Sequence, residues 1–259
     1  MEFVKVSLNE AVATITIDRP KALNALNTQV LQEIASAFAG LDLETVRCVI
    51  LTGAGDRSFV AGADIGEMVD MDSAAGKELG ITGNKVMRDI ENFPIPVIAA
   101  INGYSLGGGN ELAMSCDIRL ASDNAIFGQP EVGLGITAGF GGTQRLARVI
   151  GSLSKAKEIL YTGRNIKADQ ALEIGLVSAV YPQEELMAQA EKMAAIIAAN
   201  APIAVRYTKE AIDRGLQTDI DSAIAIEVDL FGACFDSADQ KEGMNAFLEK
   251  RKEKNFVNK

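Results

Sequence analysis

Two glutamates and two runs of small residues are the groups in this sequence best placed to do chemistry. Glu111 lies in Leu106-Gly107-Gly108-Gly109-Asn110-Glu111-Leu112-Ala113-Met114, where three successive glycines run directly into a helical pattern. Such a junction leaves backbone N–H groups unpaired and facing whatever docks there, which makes an anion or oxyanion site. A plain tight turn needs one or two glycines, so the third argues for close approach of backbone to a ligand. Phe59-Val60-Ala61-Gly62-Ala63-Asp64-Ile65 is a second small-residue run, whose backbone donors are expected to face the same place. Two N–H groups converging on one oxygen polarise a carbonyl without any side chain. Glu131 follows the rigid turn Gly128-Gln129-Pro130 and is flanked by Val132 and Leu134. An acid in such apolar company is either paired, or raised in pKa and used. Glu111 stands in the first turn of its helix, where the dipole favours the ionised carboxylate. Two carboxylates in different environments beside a candidate oxyanion hole are what acid/base work at an α,β carbon pair requires.

Several other chemistries are excluded. The 259 residues contain no histidine, which removes Ser-His-Asp and Cys-His catalysis and imidazole metal sites. Gly103-Tyr104-Ser105-Leu106-Gly107 therefore matches the nucleophile elbow in spelling only, and Ser105 reads as a turn residue. Gly133-Leu134-Gly135-Ile136-Thr137-Ala138 fits a loose dinucleotide fingerprint but follows Gln129-Pro130-Glu131 and no buried strand, so it reads as a loop. Cys48, Cys116 and Cys234 are odd in number, widely spaced and set among apolar residues, the pattern of reduced thiols in a cytoplasmic protein. The N-terminus lacks a basic and then apolar leader, and no stretch reaches about 18 apolar residues, so neither export nor a membrane span is expected. A net charge of −10 and the absence of tryptophan argue against nucleic acid as a partner.

The elements that must hold these groups alternate. Val12 to Ile17 reads as a strand, broken by Asp18-Arg19-Pro20 before a helical pattern through Val30, Leu31, Ile34 and Phe38. Val46 to Leu51, Val97 to Ile101, Ile118 to Ala121 and Ala125 to Phe127 are further strand candidates. The alternation predicts an α/β core over roughly the first 180 residues. After Tyr181-Pro182 the chain becomes helical, restarting after Asn200-Ala201-Pro202 and after Asp219, with alanine-, isoleucine- and methionine-rich faces that pack onto the core or onto another subunit.

Taken together, Arg19-Pro20-Lys21-Ala22-Leu23-Asn24-Ala25-Leu26, Phe59 to Ile65, Asn102 to Glu111, Gly128 to Leu134 and Gly141-Gly142-Thr143-Gln144-Arg145-Leu146 resemble the crotonase (enoyl-CoA hydratase) family in order and spacing, most closely its bacterial short-chain 3-hydroxybutyryl-CoA dehydratases. The resemblance implies a spiral of ββα units with a helical C-terminal trimerisation region. The core would span residues 1–200 and the oligomerisation region 201–259, in a homohexamer built from two trimers. It further implies that the backbone N–H groups of Ala63 and Gly108 form the oxyanion hole for a thioester carbonyl. Glu111 would position and deprotonate the water that adds at Cβ, and Glu131 would deliver or remove the Cα proton. Backbone around Lys21, Ala22, Leu23, Ala61, Asp64 and Ile65 would line the coenzyme A site, with Lys21 near its phosphates. Phe140 is expected to close the acyl pocket for a chain of about four carbons. The substrate would be an acyl-CoA, with no metal or redox cofactor. Asn110 departs from the cysteine, and Ala138 from the proline, common in relatives. An enoyl-CoA isomerase or other enolate-stabilising enzyme is the alternative within the family, and an RNA-binding member of the fold is disfavoured by the net charge.

Overall fold

The computed structural model describes residues 1–259. The chain opens with an antiparallel hairpin, β1 (Val4–Asn9) and β2 (Val12–Ile17). The helix α1 (Thr28–Ala39) follows, its first turn capped by the Asn27 side chain, which accepts from the Val30 N–H at 2.8 Å. Its buried residues Val30, Leu31, Ile34, Ala37 and Phe38 fall at the three- and four-residue spacing of one helix face.

A repeating pattern then sets in. Strands β3 (Cys48–Gly53) and β4 (Ser58–Val60) lead to helices α2 (Ile65–Met68) and α3 (Ser73–Glu91). Strands β5 (Val97–Ile101) and β6 (Tyr104–Leu106) lead to α4 (Gly108–Met114). Strands β7 (Ile118–Ser122) and β8 (Ile126–Gly128) lead through a 3₁₀ turn, Pro130–Leu134, to α5 (Gly142–Ile150) and α6 (Leu153–Thr162). After β9 (Ile166–Lys167), α7 (Ala168–Glu173) and β10 (Ala179–Tyr181) come α8 (Leu186–Ala198), α9 (Pro202–Gly215), α10 (Ile220–Cys234) and α11 (Ala238–Leu248). In each repeat the first strand joins a six-stranded sheet ordered β1-β2-β3-β5-β7-β10, and the second joins a four-stranded sheet ordered β4-β6-β8-β9. The result is the expected α/β spiral of ββα units.

The large sheet is covered on both faces. Along β3 and β5 every residue is buried, and alternate side chains go to opposite sides. Val49, Leu51, Val97, Ala99 and Ile101 enter the main core, whereas Cys48, Ile50, Ile98 and Ala100 meet Leu186, Ala190 and Ala194 of α8. The cysteines form no disulfide, and burial pushes the Cys48 and Cys116 thiols up to about 12. Where the chain leaves one sheet for the other, buried amides satisfy the freed backbone. Asn24 Nδ2 donates to the carbonyls of Ala54 and Ser58 at 3.0 and 2.8 Å, and Asn102 Nδ2 to those of Gly53 and Gly55, both at 2.7 Å.

Residues beyond 200 pack differently. α9 and α10 lie against each other, and α10 buries no residue, leaving Ile220, Ile224, Val228 and Phe231 exposed. Lys209 of α9 is tied to Asp117 at 2.8 Å, and the tail returns to the body, where Arg47 donates to the Phe256 carbonyl at 2.7 Å.

One sequence reading is corrected. Ser105 is no turn residue: it is the buried centre of β6. β4 and β6 each span three residues, too few for an alternating pattern to show. Yet they decide what lies side by side. They pair in parallel, Val60 opposite Ser105, so 61–64 and 107–109 leave neighbouring strand ends together. The first turn of α4 packs so closely on β4 that a Cβ on Gly109 would overlap the Val60 carbonyl oxygen. Gly109→Ala is therefore expected to destabilise the fold by about 1–3 kcal/mol or more through overpacking. By contrast Gly133→Ala, where a Cβ meets nothing within 4 Å, should leave the melting temperature unchanged. Equal melting of the two variants would refute the close approach.

Candidate active site

The two segments that leave β4 and β6 differ in how they use their N–H groups. On the first, Ala61 and Asp64 donate to the carbonyls of Leu23 and Leu26 at 3.1 and 2.8 Å, and Leu26 donates to Gly62 at 2.9 Å, stitching residues 23–26 alongside. The Ala63 N–H between them has no acceptor in the chain, nor has that of Gly108 at the start of α4. These are the two donors expected from the sequence, and they sit on adjoining backbone. Gly107 brings the strands' ends together: its φ of 49° is left-handed, and a Cβ there would lie 3.0 Å from Glu131 Oε1 and 3.9 Å from the Gly62 Cα.

Glu111 is buried on α4, and its Oε1 accepts from the N–H groups of Phe140 and Gly142 at 2.9 and 2.6 Å. Burial, and next to it the charge of Glu131, raise its pKa to about 7 against the pull of those two N–H groups and Arg145. Burial thus outweighs the helix dipole, which favours the carboxylate. A first-turn dipole is worth under about 1 kcal/mol, while a rise from 4.5 to about 7 corresponds to roughly 3 kcal/mol. Glu131, in the 3₁₀ turn, is half-buried and also raised by burial. Its Oε2 is buried without a partner, and its Oε1 lies 3.3 Å from Gln129 Nε2. The Gln129 amide stands between the two acids: a Cβ on Gly142 would strike its nitrogen and come within 3.0 Å of Glu111 Oε1. Asn110, the departure from cysteine, has its side-chain amide 3.0 Å from that of Gln129.

The other residues singled out in the sequence surround this centre. Phe140 is buried, its ring lying where a Cβ on Gly108 would fall 3.2 Å from Cδ2 and where a Cβ on Gly83 of α3 would collide. Lys21 and Ala22 occupy a 3₁₀ turn, Pro20–Ala22, with Lys21 exposed and in no ion pair. Leu23 follows at a left-handed φ of 51°. Asp64 caps α2 through Gly66 and pairs with Arg19 at 2.7 Å; its hydrogen bond to Arg19 holds its pKa below the usual range. Asp64 thereby clamps 19–25 onto 61–65, while Ile65 is exposed beside it. Sequence reasoning passed over Gln129, quoted only as a turn residue, and Asn24, quoted only within a motif; a polar amide between apolar strands was the available signal.

The assembly is a pair of free backbone donors flanked by two carboxyls of raised pKa, a layout suited to proton transfer next to a polarised carbonyl. Comparisons with known proteins agree. Residues 7–257 match the family model described as enoyl-CoA hydratase/isomerase. A short-chain-enoyl-CoA hydratase of Clostridium acetobutylicum is 57% identical over 249 residues, 96% of this chain and 95% of that one. A crotonyl-CoA hydratase of Syntrophomonas wolfei is 53% identical over 259 residues, 100% and 99% of the two chains. The crystal structure of an enoyl-CoA hydratase from Bacillus anthracis superposes with a TM-score of 0.95 at 40% identity, covering 99% of this chain and 100% of the other. With agreement in sequence and fold over nearly its whole length, this chain belongs to the enoyl-CoA hydratase/isomerase family.

Proposed function

We propose that the chain catalyses the reversible syn hydration of a short-chain trans-2-enoyl-CoA, crotonyl-CoA giving 3-hydroxybutyryl-CoA. The observation that carries this reading is the pair of carboxyls, one buried and one half-buried, both raised in pKa by burial, beside the unpaired Ala63 and Gly108 N–H groups. The thioester oxygen docks on those two donors, which strengthen as enolate charge develops on it; one such donor is typically worth about 10²–10³ in rate. Glu111, with Oε1 pinned, takes a proton from water as its oxygen bonds to Cβ. Glu131, whose pKa burial raises, gives a proton to Cα. In the reverse direction each group takes the opposite part. Proton transfer and backbone polarisation account for every step, so the reading includes no metal or redox cofactor, and coenzyme A enters as part of the substrate. The names of the Clostridium and Syntrophomonas relatives refer to short enoyl chains, and the Phe140 ring packed on Gly108 is suited to ending the acyl pocket. Lys21, Ala22, Leu23, Ala61, Asp64 and Ile65 would line the coenzyme A site, with the exposed Lys21 near its phosphates.

The same reading assigns residues 1–200 to the catalytic core and 201–259 to oligomerisation, as a hexamer of two trimers. The uncovered apolar residues of α10 support this; a monomeric mass by light scattering at micromolar concentration would refute it. No helix is long and apolar enough to cross a membrane. That fact and the unpaired cysteines support a cytoplasmic location.

Glu111→Gln and Glu131→Gln should each slow the loss of crotonyl-CoA's enone absorbance by about 10²–10⁴-fold, and the double variant by far less than the product of the two. Near wild-type turnover in either single variant would overturn the two-carboxylate assignment. Folding stability supplies a second readout. Because the folded pKa of Glu111, about 7, exceeds its ordinary value of 4.5, its contribution is fully present below pH 4.5 and lost as pH rises through 7. Glutamine keeps the two accepted hydrogen bonds without the charge. Glu111→Gln should therefore melt above wild type at pH 8, with the margin gone near pH 5.

Phe140→Ala should raise relative kcat/KM for eight- and twelve-carbon enoyl-CoA over crotonyl-CoA, by roughly one to two powers of ten given about 1–3 kcal/mol per methylene at most. An unchanged preference with a lower melting temperature would assign the ring to packing alone.

A further inference from the structure

The two N–H groups that hold Glu111 belong to the strap Gly139-Phe140-Gly141-Gly142, which has no secondary structure of its own before α5 begins at Gly142. What fixes the strap lies outside the site. Arg145, one turn into α5 and almost fully buried, donates through Nη1 to the Phe140 carbonyl at 2.5 Å. The rest of its guanidinium grips Glu91, at the end of α3, through Nε at 2.6 Å and Nη2 at 3.0 Å. Such a two-pronged pair fixes the guanidinium in plane as well as in place. Gly141, between the strap and α5, adopts a left-handed φ of 100°, and a Cβ there would overlap Arg145 Nη1. On the other side Asn84 of α3 donates to the Gly139 carbonyl at 2.7 Å. The Gly141 carbonyl is held by the Gln144 and Arg145 N–H groups of α5, while the side-chain anchors on the Gly139 and Phe140 carbonyls lead back to α3, by way of Asn84 or of Glu91 and Arg145.

We propose that the Arg145–Glu91 ion pair is a positioning device for Glu111: by fixing the Phe140 carbonyl it aims the Phe140 and Gly142 N–H groups that orient the Glu111 carboxyl. Neither residue touches the reacting atoms, so both are positioning residues. The inference rests on the role of Glu111 in hydration given above. The charged groups acting on Glu111 are Glu131, from the 3₁₀ turn, and Arg145, from α5. Behind Arg145 stand Glu91 and Arg88 of α3, joined at 2.7 Å. Glu91 is held below the usual carboxylate range: burial works against it, but Arg145 and Arg88 prevail. Arg145 opposes the rise at Glu111, so its loss allows the Glu111 pKa to climb further.

The test compares Arg145→Met, Arg145→Lys and Glu91→Gln with Glu111→Gln, using crotonyl-CoA hydration by the full-length protein, with melting curves as a fold control. A strap displaced by about 1 Å is expected to lower kcat by roughly 10- to 100-fold, while KM, set by the distant coenzyme A contacts, stays within about threefold. In Arg145→Met the acid limb of kcat/KM should also move to higher pH, which a merely structural residue would not do. Arg145→Lys, retaining a charge and a donor, should restore part of both. Wild-type kcat and an unmoved limb in folded Arg145→Met overturn the proposal. Should that variant fail to fold, Glu91→Gln decides: a fall in kcat at constant KM supports the device, and unchanged kcat overturns it. Activity retained by Glu111→Gln would instead show that the assignment of Glu111 itself is at fault.

Discussion

The first turn of α4 can rest on the end of β4 only because position 109 carries no side chain, and the site follows from that contact. Parallel pairing of β4 and β6 brings two strand ends together. The missing Cβ lets the backbone that continues from each close to van der Waals distance. A methyl group there would separate the segments that carry the unpaired Ala63 and Gly108 N–H groups. The glycines at 107 and 109 thus serve different ends, one supplying a left-handed backbone and room for Glu131, the other a close approach.

Around that contact the electrostatics are set by burial more than by local charge. Glu111 has favourable partners, two backbone N–H groups and an arginine, and still rises to about 7, because removing a carboxylate from water outweighs a few well-aimed dipoles. Asp64 and Glu91, facing arginines, go the opposite way. The acids of this region thus divide into those in ion pairs, which hold backbone segments together, and those whose pKa burial raises. Arginine proximity marks the first group and the lack of a paired cation marks the second.

Much of this was legible in the sequence, for physical reasons that differ from residue to residue. Val97 to Ile101 matches β5 to the residue because a fully buried strand is a continuous apolar run. Glu111, Glu131 and the glycine run were identifiable because few other arrangements explain an acid among apolar residues or three glycines before a helix. The three-residue strands were not readable, since three residues hold no period, and Ser105 was misplaced in consequence. The sign of the Glu111 shift was not readable either: the helix start is visible in the letters, whereas the depth of burial depends on Phe140, Gly142 and Gln129, which arrive from later in the chain. For the same reason Arg145 appeared only as one letter of a motif, its partner Glu91 lying 54 positions earlier.

In most proteins imidazole rings dominate proton uptake between about pH 5 and 8, and their titration hides any other group. This chain has none, and its two fully buried thiols ionise only near 12. Near neutrality the group that burial has brought into range is Glu111, lifted to about 7. The C=O stretch of a carboxylic acid reports directly on whether it carries its proton. The proton on Glu111 is therefore open to infrared difference spectroscopy without labels and without an imidazole background.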